Sequence, residues 1–170
     1  MSTITTRPRD PSDLAAAAAA LVAVHQADGY PVEGVDNPYA WLSPSGMLAA
    51  WVGVLDGAVV GHALVTTPKP GDAAVDAWTA QGGDVSRTVV GGRLFVSPEG
   101  RGHDLGTRLA QTITDWAADQ GYDLVGDVMA KDQAALHIYR RIGWQQIGTT
   151  MHDTGQGTKV PALLFAHPAP

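Results

Sequence analysis

Residues 94–109 read LFVSPEGRGHDLGTRL, and this stretch decides the fold. An apolar strand ends at Val96, a short turn rich in Pro, Gly and Arg follows, and a helix begins at Asp104. Backbone N–H groups in such a turn lack helical partners and lie at the positive end of the helix dipole. Phosphate groups bind readily there, and Arg101 and Arg108 add positive charge. The segment predicts either a phosphate-binding cradle or a turn whose glycines only make the bend.

The rest of the chain reads as alternating strands and helices around this segment. Apolar alternation predicts strands at 3–7, 48–55, 58–65, 89–96, 123–129, 145–152 and 160–166. Capping signals and periodicity of about 3.6 residues predict helices at 10–28, 104–120 and 132–142, with a shorter one at 72–81. Asp56-Gly57 between two apolar runs indicates a tight hairpin. We therefore predict one α/β domain, residues 1–170, with a mixed, mostly antiparallel sheet of six or seven strands and helices on both faces.

Composition excludes several classes of protein. The chain has 170 residues, a formal net charge of −6 and no cysteine. It is too short for two full domains, and it has no disulfide, thiolate zinc site or cysteine nucleophile. The acidic balance argues against general nucleic-acid binding. The six histidines show no metal-ligand spacing, so no metal is expected.

The most apolar run, residues 14–24, is too short to cross a bilayer, which takes about 20 apolar residues. Asp10, Pro11 and Asp13 form a helix start, which favours an ordinary surface helix over a secretory signal. We expect a cytoplasmic protein that does not bind membranes.

The segment from Val96 to Gly106 resembles the acetyl-CoA-binding motif of the GNAT superfamily of acyltransferases, Val-x-Pro-x-x-Arg-Gly-x-Gly-x-Gly. It departs from the motif at Asp104, where the family has its middle glycine. A carboxylate there is repulsive toward a pyrophosphate, although it is also able to cap the helix. The resemblance implies acetyl-CoA as cofactor, held by Phe95, Val96, Arg101, Gly102, His103, Gly106 and Thr107, largely through backbone N–H groups, with Phe95 and Val96 facing the acetyl oxygen.

A second stretch, residues 132–144, reads DQAALHIYRRIGW and resembles the family's Asn-x-x-Ala-x-x-Leu-Tyr-x-x-x-Gly-Phe helix. By this resemblance, the strands before Arg101 and before Asp132 part to admit the pantetheine arm. Tyr139 matches the tyrosine that protonates the leaving thiolate. Its alternative role is a ring packed in the core.

The general base is less clearly marked. Many relatives place a glutamate on the fourth strand, but residues 89–93 contain none, and the only two glutamates, Glu33 and Glu99, fall in predicted loops. Asp127 lies five residues before Asp132, the position of an acid in proteins that resemble the ribosomal-protein N-terminal acetyltransferases. Strand alternation turns it away from its neighbours, either into the cleft or into solvent. His62 and His152 are further candidates for the base.

These features predict acetyl-CoA-dependent acetylation of an amine by direct attack, without a covalent enzyme intermediate. The loops at 30–44 and 68–87 should narrow the acceptor site, with Tyr39, Trp41 and Trp78 as candidate walls, so a small-molecule amine is favoured. The alternatives are acetylation of protein N-termini and a non-catalytic acyl-CoA-binding module. The resemblance also implies that the chain forms a homodimer.

Overall fold

The computed structural model describes all 170 residues and contains a seven-stranded sheet in the order β1-β2-β3-β4-β5-β7-β6. Every neighbouring pair is antiparallel except β4 and β5, which confirms the predicted mixed, mostly antiparallel sheet. The strands are β1 (Ile4–Pro8), β2 (Met47–Leu55), β3 (Ala58–Thr66), β4 (Thr88–Val96), β5 (Asp123–Met129), β6 (Gln145–Asp153) and β7 (Lys159–His167). The helices are α1 (Leu14–Asp28, preceded by a 3-10 turn at Pro11–Asp13), α2 (Pro38–Leu42), α3 (Ala73–Ala80), α4 (Leu105–Gln120) and α5 (Gln133–Arg141).

Helices cover both faces of the sheet, as predicted. Alternate residues of the central strands face opposite ways. Leu124 joins the largest core cluster with Leu109 and Ile113 of α4, whereas Val125 packs with Val75 of α3. A third cluster lies under α1 and α2 on the α3 side of the sheet. Each helix falls short of the length and apolarity needed to span a bilayer.

The predicted hairpin is present at residues 56–57. Asp56 has φ 50° and Gly57 has φ 85°, so both central residues adopt the left-handed conformation that a type I′ turn requires. This turn sets the antiparallel register of β2 and β3, in which Leu55 faces Ala58.

β4 and β5 separate after a short paired segment. They pair only at Thr88–Val90 with Asp123–Val125. At the next position a Cβ on Gly126 would lie 2.9 Å from the carbonyl oxygen of Gly91, so only glycine fits there without displacing backbone. Beyond this point each strand pairs only on its outer side, β4 with β3 and β5 with β7, which leaves a gap in the middle of the sheet.

His62 on β3 is fully buried and is held as a neutral imidazole. Its Nε2 accepts a hydrogen bond from the Arg9 guanidinium at 2.9 Å, since arginine only donates, and its Nδ1–H donates to the carbonyl oxygen of Arg93 at 2.9 Å. The ring stacks on Phe95 with centroids 5.5 Å apart. Burial, reinforced by the charges of Arg9 and Arg93, lowers the pKa of His62 from 6.5 to about 4.

We predict that His62 makes the protein less stable in mild acid. Between pH 6.5 and pH 4 the unfolded chain protonates this histidine while the folded chain does not, so the free energy of unfolding falls as the pH falls through this window. The loss attributable to His62 is about 3 kcal/mol, from about 1.4 kcal/mol per pKa unit. Denaturant titrations of wild type and His62→Gln at several pH values should show a shallower pH dependence in the variant. Equal pH dependence would contradict the buried neutral imidazole.

Candidate active site

The turn between β4 and α4 presents a run of free backbone donors. None of the N–H groups from Gly102 to Thr107 donates a hydrogen bond within the protein. Asp104 begins α4 in the left-handed conformation, φ 62°, and its carboxylate does not cap the helix. A Cβ on Gly106 would lie 3.0 Å from Ile138 Cδ1, so this glycine allows α4 to pack closely against α5. The predicted cradle therefore has the free donors that an anion requires.

Arg101 does not direct its side chain into this cradle. Its guanidinium pairs with Asp28 at the end of α1, its Nε donates to the carbonyl oxygen of Val96 at 3.3 Å, and its backbone N–H donates to Pro98. In this arrangement the guanidinium is engaged by Asp28, and its contribution of positive charge to a phosphate stays a prediction. Arg101 fastens the turn to α1.

β4 is irregular just where it leaves β5. His62 pairs with Phe95 and Leu64 pairs with Gly92, so two residues of β4, Arg93 and Leu94, oppose the single Ala63. This is a β-bulge, and Arg93 adopts φ 53° within it. The Phe95 side chain packs in the core under α1 and α2, so a functional contact from residues 95 and 96 has to come from the backbone.

A cavity of about 740 Å³ opens at the gap between β4 and β5. Both loops that were predicted to narrow the acceptor site contribute to its wall. Tyr30, Glu33 and Trp41 come from the segment between α1 and β2, and Lys69 and Asp72 come from the connection between β3 and α3.

Tyr139 on α5 packs in the core through its ring and also borders the cavity. Its ring stacks flat on Trp144, with centroids 4.2 Å apart, inside the largest core cluster. Its side chain lines the cavity, and its hydroxyl has no hydrogen-bond partner in the protein. Burial raises the pKa of this phenol, and the charges of Asp132 and Asp127 raise it further. The hydroxyl thus keeps its proton at neutral pH.

Asp127 lines the cavity, with its side chain 42% exposed. Its Oδ2 lies 3.4 Å from Nδ1 of His152, and on the other side of that ring Glu33 Oε2 lies 3.5 Å from Nε2. The second oxygen of Glu33 accepts a hydrogen bond from Trp41 Nε1 at 3.0 Å. Glu33 is therefore a site residue that the sequence reasoning left in a loop, because no local pattern reveals a contact between that loop and β6.

Three other candidates lie outside the cavity. His62 is buried in the core and does not line the cavity. Trp78 donates from Nε1 to Asp123 at 3.1 Å and secures α3 on the sheet, so it is not a wall of the pocket. Tyr39 is 52% exposed and also does not line it. No group of three His, Asp or Glu side chains is arranged to hold a metal ion.

Comparison with known proteins agrees with this geometry. The family model described as Acetyltransferase (GNAT) family matches residues 17–144. An N-acetyltransferase from Staphylococcus aureus Mu50 has a TM-score of 0.74 and 18% identity, with 98% of each chain covered. The yncA protein of Salmonella typhimurium, described as an acetyltransferase and solved with its cofactor acetyl-CoA, has a TM-score of 0.71 and 18% identity, covering 98% of this chain and 94% of that one.

The ribosomal-protein-S18-alanine N-acetyltransferase from Escherichia coli has a TM-score of 0.68 and 18% identity, covering 99% of this chain and 94% of that one. No curated protein sequence matches the chain. The structural likenesses establish the fold, and the family model covers most of the chain, including the turn at Arg101 and the helix of Tyr139. The protein therefore belongs to the GNAT family of acetyltransferases.

Proposed function

We propose that this chain transfers the acetyl group of acetyl-CoA directly to the amine of a small molecule. Acetyl-CoA is the acetyl donor of the family. The observation that carries the proposal is one cavity that joins the gap between β4 and β5, the unpaired hydroxyl of Tyr139 and the carboxylate of Asp127. The gap would admit a thioester, the Tyr139 hydroxyl would serve as a neutral acid, and the Asp127 carboxylate would accept a proton. Amide formation from an amine requires these three elements.

Residues of this chain suit two parts of acetyl-CoA, its pyrophosphate and its pantetheine arm. The free N–H groups from Gly102 to Thr107, those of His103 and Gly106 included, suit the pyrophosphate, and the parted strands β4 and β5 suit the pantetheine arm. When bound, acetyl-CoA supplies an activated acyl group on a thiol leaving group. A backbone N–H at Phe95 or Val96 would polarise the acyl oxygen, as a preorganised donor does in acyl transfer.

Asp127 and Tyr139 divide the proton transfers between them. Asp127 accepts a proton from the amine, which must be neutral to attack. Tyr139 donates its proton to the departing sulfur, since burial keeps the phenol protonated. The chain has no cysteine to carry an acyl group, which supports direct transfer.

A small acceptor is favoured because both long loops reach the cavity. Tyr30 and Trp41 from the first loop and Lys69 from the second line it. Acetylation of a protein N-terminus is the second candidate. Asp127 occupies the position of an acid in that group, and it lines the cavity.

Thiol release from acetyl-CoA over a panel of small amines and N-terminal peptides tests the proposal. We expect release with small amines and not with peptides. Intact mass measured after incubation with acetyl-CoA alone should show no acetylated protein, because no covalent intermediate forms. Release with peptides only would establish the second candidate, and cofactor binding without release on any acceptor would indicate a non-catalytic binding module.

We predict that Tyr139→Phe lowers kcat by about 10²–10⁴-fold, the usual contribution of a general acid. The affinity for coenzyme A should not change, because the ring still stacks on Trp144. Tyr122→Phe is the matched control, since Tyr122 stacks on Trp116 and does not line the cavity. Steady-state kinetics and calorimetric binding measure the two effects, and wild-type kcat in Tyr139→Phe would exclude the acid role.

We predict that Asp104→Gly tightens cofactor binding and stabilises the fold. Removing a carboxylate beside the cradle lowers charge repulsion, which at about 1 kcal/mol corresponds to roughly fivefold tighter binding. Glycine also relieves the left-handed strain, worth about 1 kcal/mol. Asp104→Asn separates the two effects, because it removes the charge but keeps a side chain. Calorimetric titration with coenzyme A and denaturant unfolding measure them, and unchanged affinity in both variants would show that the carboxylate is neutral for binding.

A further inference from the structure

His152 on β6 lies between two carboxylates inside the cavity. Asp127 faces Nδ1 at 3.4 Å and Glu33 faces Nε2 at 3.5 Å. The three residues come from β5, from β6 and from the loop between α1 and α2, so tertiary folding alone brings them together. All three line the space that the Tyr139 hydroxyl also faces.

This arrangement gives each ring nitrogen of His152 its own facing carboxylate. A neutral imidazole has one N–H, so it can donate toward only one of the two carboxylates while its lone pair faces the other. A second proton converts both contacts into attractive ion pairs. Glu33 is held in place for this role, because its other oxygen accepts the hydrogen bond from Trp41.

We propose that His152, positioned between Asp127 and Glu33, takes up the proton that Asp127 accepts when the acceptor amine arrives as an ammonium ion. This inference rests on the proposed acetyl transfer and deepens it by naming the route of the acceptor's proton. His152 acts through Asp127 and is a positioning residue for the reaction.

The proton balance is complete without any further reactant. The ammonium gives one proton to Asp127, which passes it to Nδ1 of His152, and the amine becomes neutral. The amine nitrogen then forms a bond to the acyl carbon as the carbon–sulfur bond breaks. The nitrogen loses a second proton, the sulfur gains one from Tyr139, and the second proton of the nitrogen restores the Tyr139 phenol. The net release of one proton per acetylation leaves from His152 to solvent.

The Tyr139 side chain lines the same cavity as Asp127 and His152. The other charged side chains that face this space are Lys69 and Asp72 before α3, Arg93 on β4, Asp132 at the start of α5 and Asp153 on β6.

The decisive experiment compares strongly and weakly basic amines of nearly equal shape. The probes are two pairs, 2-phenylethylamine with O-benzylhydroxylamine and butylamine with O-propylhydroxylamine. The alkylamine of each pair is protonated at neutral pH, and the oxygen-substituted partner is neutral. Only the alkylamine has to be deprotonated by the protein. The variants are then compared with the pair whose alkylamine the wild type acetylates faster.

We expect His152→Gln to lower kcat/KM about 100-fold for the alkylamine and by less than threefold for its neutral partner. His137→Gln, at an exposed position of α5, is the matched control and should equal wild type for both. Equal losses for the two amines in His152→Gln would overturn the inference and leave the acetyl transfer intact. A wild type that acetylates only the neutral partner would overturn the ammonium acceptor, and one that acetylates no amine at all would overturn the proposed function itself.

The pH profile supplies a readout that a merely structural role would not move. In wild type, kcat/KM for the alkylamine should rise with pH through one ionisation, and this limb should disappear in His152→Gln. A limb that stays in place in His152→Gln would show that His152 does not hold the proton.

Discussion

The separation of β4 and β5 is the constraint on which the rest of the molecule depends. Two parallel strands in the middle of a sheet normally remain paired, because unpaired backbone groups inside a protein are costly. Here pairing stops after Val90 and Val125, and each strand stays anchored only to its outer neighbour. Gly126 lets the two backbones approach closely just before they part. A few residues further along, the bulge at Arg93 and Leu94 interrupts the regular pairing of β4 with β3. The sheet thereby gains a cavity without losing its continuity.

Charge and burial act together on the groups around this cavity. The ring of Tyr139 is buried, and that burial keeps its hydroxyl neutral. The negative charge of Asp127 adds to the same effect. The carboxylate that we propose as proton acceptor thus also helps the phenol that we propose as proton donor to stay protonated. The two groups differ in environment, with the phenol stacked on Trp144 and the carboxylate open to the cavity.

Local sequence patterns were enough to predict most of the fold and the part of the candidate site that we propose binds acetyl-CoA. Turn chemistry at Asp56-Gly57 and the strand-to-helix segment around Arg101 placed their elements within a few residues. Alternation along β5 correctly put Asp127 on the opposite side from Val128, which packs in the core. The part of the site that we propose binds the acceptor could not be predicted in this way, because it is formed by contacts between segments far apart in the chain. The approach of Glu33 to His152 and the pairing of Arg101 with Asp28 follow from how loops and helix ends meet, and no periodicity encodes those contacts.

The two loops that reach the cavity contribute nothing to the largest core cluster. That cluster is built from strands and from α4 and α5, together with Trp144 just before β6, whereas Glu33 and Lys69 lie in connections outside it. Of the loop residues that line the cavity, Tyr30 and Trp41 pack against the smaller cluster under α1. Substitutions at Glu33 or Lys69 would therefore change the wall of the cavity without removing a side chain from any of the three core clusters.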